Sequence, residues 1–185
     1  MIVLMGKYLF VIMMGIFFAL IQTCYFFQLE IWLTAAYPAY LTIMLGWLIG
    51  NVAGLRMFQS GENPNKSSLS LWLILSVAAY YFTICFLQVF PYRMELLPIY
   101  GVMIGVSGAL AGRFFVSARF IFKTSAKLFF MENNGFVLGW ILGFMGFVWR
   151  GHTFNLVAPL VMGIICFALC QFVSRNQLNS VYQSE

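Results

Sequence analysis

The chain has 185 residues, of which 63% are hydrophobic and 8% charged, with a net charge of +5 and a mean hydropathy of +0.93. So few polar side chains cannot cover the surface of a soluble domain, and the composition excludes one. All five acids are glutamates, and there is one histidine. This small stock of acid, base and metal-ligand groups disfavours catalysis, and we expect no enzyme activity, cofactor or metal.

Six apolar stretches follow one another along the chain, separated by short polar links. A helix needs about 20 apolar residues to cross the hydrocarbon layer of a bilayer. The sequence therefore predicts an all-α integral membrane protein with one domain over residues 1–185. The predicted spans are residues 8–28, 36–57, 70–90, 95–116, 129–149 and 153–173.

The distribution of lysine and arginine predicts the orientation of these spans. If the N-terminus is cytoplasmic, eight basic residues lie on the cytoplasmic side and only Arg93 and Arg150 on the other. Cytoplasmic loops carry the excess of basic residues, so we expect both termini in the cytoplasm and the chain in a bacterial inner membrane. The eight residues are Lys7, Arg56, Lys66, Arg113, Arg119, Lys123, Lys127 and Arg175.

Residues 113–127, which join spans four and five, interleave basic and aromatic side chains. Arg119, Lys123 and Lys127 are spaced by four, so on a helix they share one face. This pattern is typical of a helix on the membrane surface, and we expect these residues to dock on anionic lipid or on an acidic protein. The same pattern can bind RNA, but on a short link beside a membrane we expect no nucleic acid partner.

Glycines form the most specific internal pattern, a triplet spaced by four residues in span two and another in span five. Such triplets predict helix faces that allow close backbone contact. The shift of 89 residues between them divides the chain into two three-helix units, and the odd number of spans inverts the second unit. Both triplets fall in the cytoplasmic half, which favours one packed layer over a repeat that matches residue by residue. The triplets are Gly46, Gly50, Gly54 and Gly135, Gly139, Gly143.

Polar residues at membrane depth need internal partners or a hydrated cavity. For Glu132 we keep two interpretations open. As an acid near a helix start it is favoured by the helix dipole, and it could also pair with Arg113 or Lys127. Alternatively, it contributes to a small polar cavity that binds a cation or a polar solute. The candidate residues for this cavity are Gln22, Asn51, Gln88, Glu132 and Asn133.

Two further patterns invite a chemical role. Ser107, within Gly105–Ala109, resembles the nucleophile motif of rhomboid proteases, but His152 lies at the wrong end of span five to act as its base. Cys166 and Cys170 share a helix face, where we expect packing more than a soft metal, because no histidine or acid is near. We therefore predict no catalytic and no metal-ligating residues.

Four segments together resemble the transporter-like membrane domain of bacterial spermidine synthase-like proteins, which is similar to part of a major-facilitator fold. They are Ala19–Gln22, Gly46–Arg56, Gly105–Gly108 and Phe129–Gly139. The resemblance covers residues 15–169 and implies six helices that resemble half of a major-facilitator transporter. It does not imply polyamine synthesis, because the soluble synthase domain and its nucleotide-binding glycine loop are absent from this sequence.

Two functions follow as hypotheses. In the first, the chain is a non-catalytic accessory or scaffold subunit of a membrane complex, and its basic link docks a partner. In the second, it is a half-transporter-like module that binds or moves a small polar or cationic solute. Half of such a fold needs a complement, so we expect a homo-oligomer or other membrane or soluble subunits beside membrane lipid. The lack of a clearly placed intramembrane charge favours the first hypothesis.

Overall fold

The computed structural model describes residues 2–59, 66–119, 122 and 124–182, and the side chains of 6–57, 69–119, 122 and 124–174. This part of the chain forms six α-helices, a short 3₁₀ helix at Met94–Leu96 and no strand. All six are long and apolar enough to span a membrane, so the chain is a multi-pass membrane protein, as the sequence predicts. The helices are α1 (Ile2–Leu33), α2 (Ala36–Gln59), α3 (Lys66–Val89), α4 (Leu97–Ala118), α5 (Ser125–Arg150) and α6 (His152–Tyr182).

Tight turns join α1 to α2 and α5 to α6. The chain turns after α1 at Thr34, whose φ is 53°, and its amide donates to the Glu30 carbonyl at 2.9 Å. After α5, Gly151 takes a φ of 55°, which a residue without a Cβ adopts at no steric cost. Because these connections are so short, each of the two pairs runs antiparallel.

The centre of the bundle is made by α1 and α4, which are more buried than the other four helices. Aromatic rings join them: Phe114 of α4 contacts Phe10 and Phe18 of α1 with ring centroids 5.9 and 5.6 Å apart. The rings meet edge to face, the geometry that the aromatic quadrupole favours. The centre of the described bundle is therefore filled by side chains where these two helices meet.

The glycines of α2 bring it into close contact with α4. A Cβ on Gly46 would lie 2.7 Å from the carbonyl oxygen of Gly101, and one on Gly50 would overlap the carbonyl of Gly105. Farther along, Gly54 meets Ala109 in the same way. The contacting residue numbers rise together on both helices, so α2 and α4 run parallel with their backbones touching.

The second glycine triplet packs α5 against α1 with the same register. Gly135 meets the backbone of Ile12, and Gly139 meets the backbone of Ile16. A shift of 89 residues relates these contacts to those of α2 and α4. The contact of Gly135 with Ile12 corresponds to Gly46–Gly101, and that of Gly139 with Ile16 corresponds to Gly50–Gly105. The correspondence is therefore closer than the sequence analysis expects, since these two contacts match residue by residue.

The exchange extends to whole helix pairs. The four largest interfaces of the bundle are α2–α4, α1–α5, α3–α4 and α1–α6. If each helix of the first unit, α1–α3, is replaced by its counterpart in the second, α4–α6, and the reverse, α2–α4 becomes α5–α1 and α3–α4 becomes α6–α1. The chain is thus built from two similar three-helix units whose main contacts run between the units and not within them.

The basic link differs from the single surface helix that the sequence predicts. Helix α4 ends at Ala118, Phe122 lies in a bend, and α5 begins at Ser125. Arg113 is buried within α4, whereas Lys127 lies in the first turn of α5. The two ends of the link belong to α4 and α5, which span the bundle in opposite directions. The chain therefore turns between them and does not continue as one helix. Lys123 lies outside the described residues.

Candidate functional site

The five residues expected to form a polar cavity are spread through the bundle. Gln22 and Glu132 are buried, but Glu132 lies beside Gly15, seven residues before Gln22 on α1, which is about 10 Å along a helix. Gln88 and Asn133 are exposed on the outer surface. Among the described residues these side chains do not converge on one site.

Glu132 lies on the face of α5 that packs against α1, together with the glycine triplet. Its side chain is 6% exposed, and among the described residues it forms no ion pair with Arg113 or Lys127. The ion pair of Glu132 that the sequence allows is therefore not formed in this part of the chain. Glu132 differs from an ordinary acid near a helix start because it is buried beside the backbone of Gly15.

Asn51 faces the interface between α2 and α4. Its backbone carbonyl lies against Gly112, and its side-chain Oδ1 is buried with no hydrogen-bond partner among the described residues. Asn51 therefore belongs to the close contact of the first glycine triplet, and Gln22 lies on a different helix pair.

Gln22 borders a small cavity of about 20 Å³ where the C-terminal halves of α1 and α5 meet the N-terminal half of α2. Two larger grooves lie on the outer faces of the bundle, one between α3 and α6 and one between α2 and α4. Their linings are almost wholly apolar and include the exposed side chains of Ile74, Leu160, Leu45 and Val102. These grooves suit acyl chains or another apolar surface and offer little to a polar solute.

A buried polar network that the sequence analysis did not predict joins α1, α3 and α4. The hydroxyls of Tyr25 and Ser107 are 3.1 Å apart, and Ser107 donates to the carbonyl of Ser76 at 3.3 Å. Ser107 therefore contacts a phenol and a backbone carbonyl in place of a base. His152 lies elsewhere, with its Nδ1 3.3 Å from Nε2 of Gln28. This geometry does not support the protease comparison.

Two tyrosines of α3 hydrogen-bond to the backbone of α6 next to a proline. Pro159 lies inside α6 and has no amide hydrogen, so the carbonyl of Asn155, four residues earlier, loses its helical donor. The Tyr80 hydroxyl donates to that carbonyl at 2.8 Å, and the Tyr81 hydroxyl donates to the carbonyl of Leu156. The α3 side chains thus satisfy a carbonyl that would otherwise be unpaired in the membrane. A proline within span six is the sequence signal that could have predicted this contact.

Three of the four cysteines are buried, and Cys85 is exposed. Cys166 donates to the carbonyl of Met13 at 3.4 Å, and the sulfur of Cys170 lies 3.6 Å from the hydroxyl of Ser70. Within the described ranges, no group of three His, Cys, Asp or Glu residues could hold a metal ion.

At the end of the bundle where α1 begins, the first turn of α5 contacts α1. The Lys127 ammonium lies 4.7 Å from the centre of the Tyr8 ring, and that ring lies 5.3 Å from the ring of Phe122. Arg119 and Lys127 are both exposed, whereas Phe122 is half-buried. The aromatic side chain thus packs against the bundle while the basic groups face outward.

The fold and its interior define a multi-pass membrane protein with a packed centre and apolar outer grooves. No family model matches the chain, and the comparisons with curated proteins and with solved structures found no match either.

Proposed function

We propose that this chain is a non-catalytic accessory or scaffold subunit of a membrane complex in a bacterial inner membrane. The observation that carries the proposal is that the residues expected to form a polar cavity lie apart: Gln22, Asn51 and Glu132 are at three separate places in a bundle with a packed centre. A transport module would be expected to gather such groups around a hydrated cavity.

The partner-binding surface in this proposal is the cytoplasmic basic link. Arg119 and Lys127 are exposed at the ends of α4 and α5, and the packing of Phe122 against Tyr8 holds the link close to the bundle. Two exposed cations near the membrane surface suit an acidic partner or anionic headgroups, and each contact with an anionic headgroup contributes about 1 kcal/mol.

If the basic link binds a partner, removing its positive charges should release that partner. We expect the change of Arg119, Lys123 and Lys127 to glutamine to remove a protein that co-purifies with the wild-type chain in mild detergent. The matched control changes Arg93 and Arg150, the exposed cations at the opposite end of the bundle, to glutamine. A complex that survives the triple change, or that is lost equally in the control, contradicts docking through this link.

One observation favours the half-transporter alternative. The exchange of α1–α3 with α4–α6 and the matched contacts at a shift of 89 residues are what two inverted three-helix repeats produce, as in half of a major-facilitator fold. This supports the resemblance to the membrane domain of spermidine synthase-like proteins. For transport, a second copy or another subunit would have to complete the pathway, because the cavity beside Gln22 is about 20 Å³.

The orientation is tested by labelling. In a Cys85→Ser background, we expect Arg93→Cys to react with a membrane-impermeant maleimide in intact cells, and Lys127→Cys to react only after the membrane is opened. Arg93 and Lys127 are both exposed and lie at opposite ends of the bundle, so burial does not bias the comparison. The reverse pattern would contradict a cytoplasmic location for both termini.

A further inference from the structure

A cleft lies at the end of the bundle where α3 ends and α4 begins. Its volume is about 460 Å³, and it is formed by the last turn of α3, the bend that follows, and the short 3₁₀ helix before α4. A cation and an acid share this cleft with three apolar side chains. The complete lining is Phe86, Phe90, Arg93, Glu95 and Leu96.

The two charged side chains of the cleft do not pair with each other. Arg93 and Glu95 are both exposed, and among the described residues neither forms an ion pair. The turn that carries them is fastened to the end of α1, because the Tyr92 amide donates to the Trp32 carbonyl at 3.0 Å. The charged residues are two positions apart, so their Cα atoms lie within about 7 Å of each other. One ligand that carries both charges can therefore contact both side chains.

A row of phenyl rings continues the apolar wall of the cleft along α3. Phe82, Phe86 and Phe90 follow one another at intervals of four residues, and the centroids of successive rings are 5.2 and 5.4 Å apart. The row is about 12 Å long, and its first and last members are exposed. The span of α3, Leu69–Val89, ends just before the last ring. The row therefore runs from the cleft into the spanning segment, where an acyl chain can cover it.

We propose that the cleft binds the headgroup of a phosphatidylethanolamine molecule, with one acyl chain along the phenyl row. The Arg93 guanidinium donates to the phosphate oxygens, and the Glu95 carboxylate accepts from the ammonium group. The contact with Glu95 favours ethanolamine over the other common headgroups. A glycerol headgroup has no cation for this carboxylate, and a choline headgroup has no N–H to donate to it.

The phenyl row favours a lipid over a free zwitterion of the same chemistry. A soluble headgroup would satisfy the charges of the cleft but would leave the rings of Phe82 and Phe90 uncovered. A lipid with its headgroup in the cleft has a chain that covers them and gains the dispersion contacts of that packing.

Native mass spectrometry of the full chain in detergent tests the headgroup. With lipids of identical acyl chains at equal concentration, we expect the wild type to bind phosphatidylethanolamine more tightly than phosphatidylglycerol or phosphatidylcholine. Arg93→Gln should weaken the ethanolamine and choline lipids alike, by about fivefold, because both offer the same phosphate. Glu95→Gln should abolish the preference for ethanolamine and leave the choline lipid unchanged. The matched control is Arg150→Gln, an exposed cation at the same end of the bundle but outside the cleft, which should alter neither.

A second set of measurements tests the acyl chain. Phe82→Ala should weaken the binding of phosphatidylethanolamine, and Phe130→Ala, at an exposed phenyl ring on α5, should not. Soluble glycerophosphoethanolamine, which carries the headgroup without the chains, should not displace the lipid at the same concentration.

Four results would overturn the proposal. Equal or tighter binding of phosphatidylglycerol by the wild type would show that the protein attracts an anion without help from Glu95. A preference for ethanolamine that survives Glu95→Gln, or an equal loss in Arg150→Gln, would place the lipid elsewhere. Unchanged binding in Phe82→Ala would remove the chain from the phenyl row. Displacement by glycerophosphoethanolamine would make the occupant a free solute.

Discussion

Gly50→Ala is expected to prevent the stable packing of α2 on α4. The added methyl group would overlap the carbonyl of Gly105, and a backbone atom cannot move aside without shifting a whole helix. Overpacking of a flexible core costs about 1–3 kcal/mol, and a clash between backbones should reach or exceed the upper end. Thermal unfolding followed by size-exclusion chromatography in detergent should show a strongly lowered Tm or no monodisperse protein.

The control for this change is Gly105→Ala in the same interface. A Cβ there would have only the Gly46 carbonyl oxygen near it, at 3.4 Å, an ordinary contact. Replacing a helical glycine by alanine favours the helix by up to about 1 kcal/mol, so Gly105→Ala should be neutral or mildly stabilising. If Gly50→Ala and Gly105→Ala prove equally stable, the close contact between α2 and α4 is wrong.

The internal repeat adds a second arm to this experiment. Gly139 occupies in α5 the place that Gly50 occupies in α2, and a Cβ there would lie 2.5 Å from the carbonyl oxygen of Ile16. Gly139→Ala should therefore destabilise the protein to a similar degree as Gly50→Ala. A harmless Gly139→Ala would show that the two parallel interfaces are not equivalent.

The second large effect is expected from Tyr80→Phe. Its hydroxyl donates to the Asn155 carbonyl, which Pro159 deprives of a helical donor, and a buried unpaired acceptor costs about 1–3 kcal/mol. We expect a corresponding loss of stability in detergent unfolding. In a Pro159→Ala background the loss should shrink, because the residue at 159 then carries an amide hydrogen that can donate to the same carbonyl.

The chain offers a matched control in Tyr100→Phe. Tyr100 is fully buried like Tyr80, but its hydroxyl has no hydrogen-bond partner among the described residues. Removing it should be neutral or stabilising, since a desolvated group is lost and no bond is broken. Equal losses for Tyr80→Phe and Tyr100→Phe, or full additivity of Tyr80→Phe with Pro159→Ala, would contradict the role given to the Tyr80 hydroxyl.

The sequence allowed the six helices to be predicted because membrane solvation acts on each stretch separately. The apolar length of each span alone decides whether it can cross the bilayer, and all six predictions are confirmed as helices of sufficient length. Gly46, Gly50 and Gly54 likewise predict a close contact, since a helix face without side chains has few other uses.

The partner of each helix was not predictable in this way. The glycines indicate which face of α2 makes a close contact, but the sequence of α2 does not indicate that α4 is the helix in contact with that face. The Tyr80 contact is hidden for the same reason, because its proline lies 79 positions away on another helix. The sequence alone does not separate Gln22, Asn51 and Glu132, because all three are polar residues in apolar helices, and only the three-dimensional packing places them at different interfaces.

The division of the bundle into two interlocked units has a consequence for biogenesis. During translation, α1, α2 and α3 enter the membrane before any of their main packing partners has been synthesised, because those partners are α4, α5 and α6. Until the second half is inserted, Gly50 and the Tyr80 hydroxyl must therefore be exposed to lipid or be in contact with the insertion machinery. Its tertiary structure can form only when the second half arrives.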